Sequence, residues 1–240
     1  MELQNTIAQR VEQIRRRLAD ACARVGRPED SVRVVAVSKN HPPAHVEAAA
    51  AAGVTLFGEN RVQEAAAKIP QCSGRLEWHL VGHLQSNKAR AAVQLFHTIH
   101  SVDSADLLRR LDRIAAEEGR RLRVLLQVNV SGERSKFGLR PEALPETLRA
   151  AEGLSRIEVV GLMTMPPAFE EPERARPFFR ALRELRDRMR VETGFELPEL
   201  SMGMSNDFEM AVEEGATYVR IGTAIFGPRP RPPNSEEETP

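Results

Sequence analysis

The chain alternates between two kinds of segment along most of its length, and that alternation leaves few folds open to it. VRVVAVSK (32–39) is a nearly unbroken β-branched run, the composition of a strand covered on both faces. Strand-like pieces recur at 54–57, 77–81, 97–102, 122–130, 157–163, 199–202 and 217–221. Helix-forming segments lie between them, at 42–52, 60–69, 86–95, 104–118, 141–151, 173–192 and 206–214. The longest sets Phe178, Leu182, Leu185 and Met189 on one face. Strands joined through helices run parallel, because the crossover returns the chain in the same direction. Ahead of the first strand, Leu3, Ile7, Val11, Ile14, Leu18, Cys22 and Val25 recur at spacings of three and four. They predict an additional amphipathic helix, ended by Gly26 and Pro28.

Eight units of roughly 28 residues each match the minimal βαβ repeat and a compact barrel. An open doubly wound sheet usually has fewer strands and often a glycine-rich first turn. Here the first turn is SKNHPPAH. The expectation is one (β/α)8 barrel of TIM type over 1–227, carrying the extra N-terminal helix. Residues 228–240 (PRPRPPNSEEETP) are Pro-rich and then acidic, and are expected to form a disordered tail.

Composition narrows the class of function. Lys+Arg and Asp+Glu are both 34, so the formal net charge is zero, and the totals supply no nucleic-acid surface. RVEQIRRRL (10–18) looks basic, but Glu12 and its helical spacing make it a solvated face. No apolar run approaches the roughly 20 residues that span a bilayer. The N-terminus carries acids and an amphipathic repeat in place of a signal peptide's apolar stretch. A cytoplasmic protein is expected. Cys22 and Cys72 form no disulfide framework and no zinc site; Cys22 lies on the apolar stripe as a buried thiol. Thirty of the 34 basic residues are Arg. Only Lys39, Lys68, Lys88 and Lys136 carry an amine able to form a Schiff base.

Barrel enzymes and binding proteins place their chemistry at the C-terminal ends of the strands. Lys39 ends the most hydrophobic strand. Desolvation there would favour the neutral amine that attacks a carbonyl, and a strand-end lysine reaching out to solvent fits the position equally well. MGMSND (202–207) places Ser205 as N-cap or anion contact for the helix at 206–214. GTA (222–224) follows the last strand with backbone N–H groups and the Thr223 hydroxyl. Each segment alone reads as an ordinary cap or turn. Together, after strands seven and eight, they suggest a phosphate cup. Arg220 sits inside the apolar strand YVRIG and must meet either a carboxylate or a ligand atom. His41 and His45 lack the intervening Glu of a metal-binding zincin motif, and His79 and His83 read as interior hydrogen-bonding residues. A lysine, a phosphate cup and an isolated arginine together suit pyridoxal phosphate: aldehyde to Lys39, phosphate to Ser205 and Gly222–Thr223, ring nitrogen to Arg220.

The blocks VAVSK (35–39), FGENRVQE (57–64), WHLVGHLQSNK (78–88), VNVSGERSKFGL (128–139), GLMTM (161–165) and LSMGMSNDFEMAVEEGATYVRIGTAIFG (200–227) resemble the pyridoxal phosphate homeostasis protein family. They cover nearly the whole chain in order. The resemblance implies a barrel like the N-terminal domain of alanine racemase and a Schiff base at Lys39. It also implies phosphate contacts from Ser205, Gly222 and Thr223, a ring-nitrogen contact from Arg220, and cofactor proximity for Asn60 and Met202. It further implies a carrier that buffers the cofactor and hands it to apo-enzymes. An amino-acid racemase or decarboxylase is the alternative, and an aldolase-like barrel a distant third. Racemisation needs a second positioned base, and Tyr218, the only tyrosine, lies on the last strand just before Arg220, where adjacent residues alternate in direction. With no second domain to share a site, a monomer is expected. Lys136 is the rival to Lys39 for the covalent link.

Overall fold

The computed structural model describes residues 1–133 and 136–228. The expected tail, apart from Pro228, lies outside the described residues. Eight parallel strands close on themselves in chain order, β1 pairing with β8. They are β1 (Arg33–Val37), β2 (Leu56–Glu59), β3 (Glu77–Leu80), β4 (Thr98–Val102), β5 (Leu122–Gln127), β6 (Ile157–Met163), β7 (Glu199–Met204) and β8 (Tyr218–Ile221). The helices α2 (Pro43–Ala51), α3 (Val62–Lys68), α4 (Ala89–Leu95), α5 (Ala105–Glu117), α6 (Leu144–Ala151), α7 (Arg176–Thr193) and α8 (Phe208–Glu213) connect them, and the short α9 (Thr223–Phe226) follows β8. The extra N-terminal helix, α1 (Glu2–Arg24), buries Ile7, Val11, Ile14, Leu18, Ala21 and Cys22 and packs on α2, α8 and α9.

Period-two alternation divides each strand between two layers. Val35 and Val37 turn into the barrel with Leu56, Val81, Leu125, Val160, Met163 and Tyr218. Ala36, Phe57, Trp78, Leu80 and Met202 join the larger layer between sheet and helices. Both layers are apolar in β1, which is why that strand reads as a continuous hydrophobic run.

Several boundaries differ from the sequence reading for local reasons. The strand expected at 54–57 begins two residues later. Gly53 adopts φ +82° and the Val54 N–H donates to the Ala49 carbonyl, so these residues terminate α2 instead. β5 stops at Gln127 rather than 130, where the Asn129 side chain accepts from the Ser131 hydroxyl and the Gly132 N–H. On α7 the fully buried aromatic is Phe179, with Leu182, Leu185 and Met189; Phe178 is half-buried against Phe169. Leu3 and Val25 lie at the exposed ends of the α1 stripe. Ser205 does not cap α8, whose N-cap position is Asp207.

Candidate functional site

At the C-terminal ends of the strands a cavity of about 250 Å³ opens between β1, β2, β7 and β8. It brings together Lys39, Asn60, Ser205, Arg220, Gly222 and Thr223, six of the seven residues singled out in the sequence. Met202 is the exception. Its side chain is fully buried in the sheet–helix layer, and Met204 and Met165 supply the thioethers at the cavity. Alternation accounts for this: Ser201 faces the interior, so Met202 faces out. Gly203 at φ +89° then shifts the register and turns Met204 toward the mouth. A Cβ on Gly203 would meet that of Ala211 at 2.5 Å.

The two loops expected to form a phosphate cup do converge. Ser205 Oγ accepts from the backbone N–H groups of Gly222 and of Ala224, both at 3.3 Å. A hydroxyl and two N–H donors therefore meet at one point, with exposed Thr223 between them in sequence. At the other side of the cavity, Gly82 lets the β3 loop approach Asn60 closely. A Cβ there would stand 2.2 Å from the Asn60 carbonyl oxygen.

Arg220 is buried, and its Nη1 donates to Ser201 Oγ at 2.7 Å while Nη2 donates to the Thr164 carbonyl at 2.9 Å. Among the described residues it makes no ion pair; its partners are a hydroxyl and a backbone carbonyl, neither of which the sequence reading named. Burial pulls its pKa down to about 10, opposed by the Asp207 carboxylate, so the guanidinium stays charged at neutral pH. Two of its five N–H donors are engaged by these contacts.

The loop that carries Lys39 is held on both sides. Ser38 is buried and donates to Glu59 Oε1 at 2.6 Å; the Asn40 N–H donates to Glu64 Oε1 at 2.6 Å, with Asn40 at φ +62°. Lys68 joins the two halves, donating to Glu59, to Glu64 and to the Ser38 carbonyl. Sequence reasoning missed this network. Its one visible trace was the i, i+4 pair Glu64–Lys68. Lys68 is thereby committed to ion pairs, and neither it, Lys88 nor Lys136 lines the cavity.

The histidines divide. His79 is interior, as expected. His83 is not: it stacks on exposed Phe137 with centroids 4.0 Å apart and pairs with Asp103 at 3.4 Å. His41 lies at the cavity, 5.0 Å from the His45 ring and 5.4 Å from that of Phe226. A wider, open groove of about 920 Å³ runs between His83 and α5 and holds none of the converging groups. Tyr218 lies at the opposite end of the barrel. The groups around its hydroxyl are Glu199, Arg33, Arg123 and Glu77, all at strand starts, and burial pushes its pKa up to about 12.

The profile of the alanine racemase N-terminal domain matches residues 10–230. A pyridoxal phosphate homeostasis protein of Aquifex aeolicus is 43% identical over 222 residues, 92% of this chain and 97% of that protein. The chain belongs to the pyridoxal phosphate homeostasis protein family. A second family member, from Pseudomonas aeruginosa, is 42% identical over 226 residues, covering 94% of this chain and 96% of that one. Among solved structures, PipY of Synechococcus elongatus with PLP bound shares 42% identity and a TM-score of 0.82, covering 92% of this chain and all of that one. An alanine racemase of Clostridium difficile matches in fold alone, at 15% identity and a TM-score of 0.74. This chain covers 57% of that racemase. Among its described residues no helix is long and apolar enough to cross a membrane.

Proposed function

We propose that this protein holds pyridoxal phosphate at the barrel mouth through a Schiff base to Lys39, buffers it in the cytosol as a monomer, and releases it to apo-enzymes without turning over amino acids. The observation that carries the reading is the convergence on one cavity of an amine, a cluster of N–H and O–H donors, and a buried guanidinium. That donor set fits an aldehyde, a phosphate and an aromatic nitrogen in turn. When bound, the cofactor supplies an aldehyde and, if its ring nitrogen is protonated, an electron sink. Lys39 would hold the aldehyde carbon, Ser205, Gly222 and Thr223 would hold the phosphate, and Asn60 would orient the ring. Arg220, whose two engaged donors fix it against Ser201 and Thr164, would present positive charge to the nitrogen and disfavour a proton there. Carbanion chemistry is correspondingly poor.

The position of Tyr218 supports the same reading. Racemisation needs a base on each face of the substrate carbon, and this tyrosine is sequestered among Glu199, Arg33 and Arg123 at the far end of the barrel.

The deciding experiment starts from an absorbance spectrum of the loaded protein. A visible band that disappears on borohydride reduction, with the adduct found on Lys39 by mass spectrometry, is expected. An adduct on Lys136 or Lys88 overturns the site. Incubation with an apo-enzyme should then restore that enzyme's activity, whereas alanine interconversion and amino-acid decarboxylation stay at the free-cofactor background. A Lys39-dependent turnover near 1 per second, ordinary for an enzyme, overturns the carrier.

A further inference from the structure

The barrel interior contains a second polar feature, running along the axis beneath the cavity. Ser201 on β7, which receives the Arg220 N–H, also lies 2.8 Å from His100 Nδ1 on β4. His100 Nε2 lies 2.8 Å from His79 Nδ1 on β3, and His79 Nε2 lies 2.8 Å from Glu77 Oε1. Ser201, His79 and His100 are fully buried, whereas the Glu77 side chain is 40% exposed at the opposite end of the barrel. Four consecutive hydrogen bonds thus join the cavity to the floor.

The direction of every bond follows from the two ends. Arginine only donates and an ionised carboxylate only accepts. Glu77 accepts, so neutral His79 carries its proton on Nε2 and its bare Nδ1 accepts from His100 Nε2–H. Neutral His100 then has no hydrogen on Nδ1, which accepts from the Ser201 hydroxyl, and the serine oxygen in turn accepts from Arg220. Each group both accepts from above and donates below, so all the links share one polarity. Burial favours the neutral rings this requires, lowering the pKa of both histidines, and the His79 hydrogen bond lowers that of Glu77. The other groups facing the rings are Tyr218, whose ring centroid lies 5.5 Å from that of His79 and 5.2 Å from that of His100, the imidazole of His97, and the charges of Arg33, Arg123 and Arg220.

We propose that Ser201, His100, His79 and Glu77 are positioning residues for Arg220: a one-directional hydrogen-bond chain that fixes the guanidinium and so sets which of its N–H groups face the cavity. The chain's effect on a ligand rests on the pyridoxal phosphate reading, whereas its polarity does not. Loss of Glu77 therefore reaches the mouth through residues that never touch a ligand there.

The test has one arm for each part. Nitrogen-15 NMR of the ligand-free wild-type protein should show both His79 and His100 as neutral Nε2–H tautomers at pH 7.5. Glu77→Ala should move the ring shifts of His100, which Glu77 does not contact, together with those of His79. An Nδ1–H tautomer at either ring, or a His100 signal indifferent to Glu77→Ala, overturns the chain. In the second arm, Ser201→Ala should weaken pyridoxal phosphate binding about tenfold and shift the pH at which the bound cofactor's absorbance changes. Ser201→Thr, which keeps the hydroxyl, should restore both. Wild-type affinity and pH response in Ser201→Ala overturn the positioning role. A wild-type protein that binds no pyridoxal phosphate would refute the functional reading instead, and the tautomer arm would still decide the chain. If Ser201→Ala does not fold, by circular dichroism, the wild-type and Glu77→Ala spectra carry the decision.

Discussion

Lys68 Nζ stands 2.6 Å from Glu59 Oε1, both groups almost wholly removed from solvent, directly behind the loop that presents Lys39. The pair takes the place of an apolar contact at the end of β2. Its attraction is repaid only while both charges are present, since each alone would be stranded in a low-dielectric site. The loop therefore depends on a neighbour that takes no part in the cavity itself.

Lys68→Met should expose this dependence. The variant leaves Glu59 buried beside Ser38 without its cation, a loss of about 3–5 kcal/mol for breaking one side of a buried pair. For a chain of this size that lowers the melting temperature by about 6–20 °C. Thermal unfolding followed by circular dichroism reads the shift. Lys68→Met with Glu59→Leu, which removes both charges, should recover most of it; a double variant no more stable than the single would show that the pair's electrostatics is not the cause.

Gly82→Ala tests the approach of the β2 and β3 loops. The added methyl would sit 2.2 Å from the Asn60 carbonyl oxygen, so the backbone must separate. The expected cost is about 1–3 kcal/mol of stability, the usual range for overpacking. Pyridoxal phosphate binding should weaken at least tenfold, because Asn60 moves away from the cavity. Unchanged affinity in a titration would remove Asn60 from the binding residues.

Ser205→Ala combined with Thr223→Val removes two hydroxyls from the converging donors. Each charge-assisted hydrogen bond lost costs roughly 1.5–3 kcal/mol of binding. Affinity for pyridoxal phosphate should fall by an order of magnitude or more, and affinity for unphosphorylated pyridoxal should hardly change. Equal losses for the two ligands would place the phosphate elsewhere.

The paired histidines predict the acid response. Both His79 and His100 have folded pKa values below the unfolded value of about 6.5, so between those values the unfolded chain binds more protons. Stability is full above pH 6.5 and declines as pH falls below it, by up to about 1.4 kcal/mol per pH unit for each ring. Urea unfolding at pH 7.5, 6.5 and 5.5 should show this decline, and His100→Asn should flatten it. An equal slope in that variant would mean that His100 does not carry the effect.

Much of the barrel was legible because helices and strands differ in hydrophobic period, and because Arg220 marks the phase of its strand: a charge in YVRIG faces the interior, so Tyr218 does too. The cavity was legible where single residues at strand ends line it, as with Lys39, Ser205 and Gly222. What stayed hidden depends on closure. His79, His100 and Ser201 meet only because β3, β4 and β7 surround one axis, and no local spacing announces it. Met202 came from the family resemblance alone; strand alternation from interior Ser201 turns it outward, and the register shift at Gly203 brings Met204 to the cavity instead. Glu59 sits in FGEN, which resembles a turn, yet it is the last residue of a strand and fully buried.

The floor of the barrel governs traffic. Tyr218 fills the axis at the strand starts, the Arg33 guanidinium lies over its ring at 4.1 Å, and Glu199 ties Arg33 to Arg123 across the opening. Among the described residues this packing closes the barrel below the cavity and leaves the mouth beside Lys39 and Thr223 as its way in. On the proposed function, an acceptor collecting cargo directly has to stand at that doorway, and cargo and acceptor compete for the same few ångströms of rim.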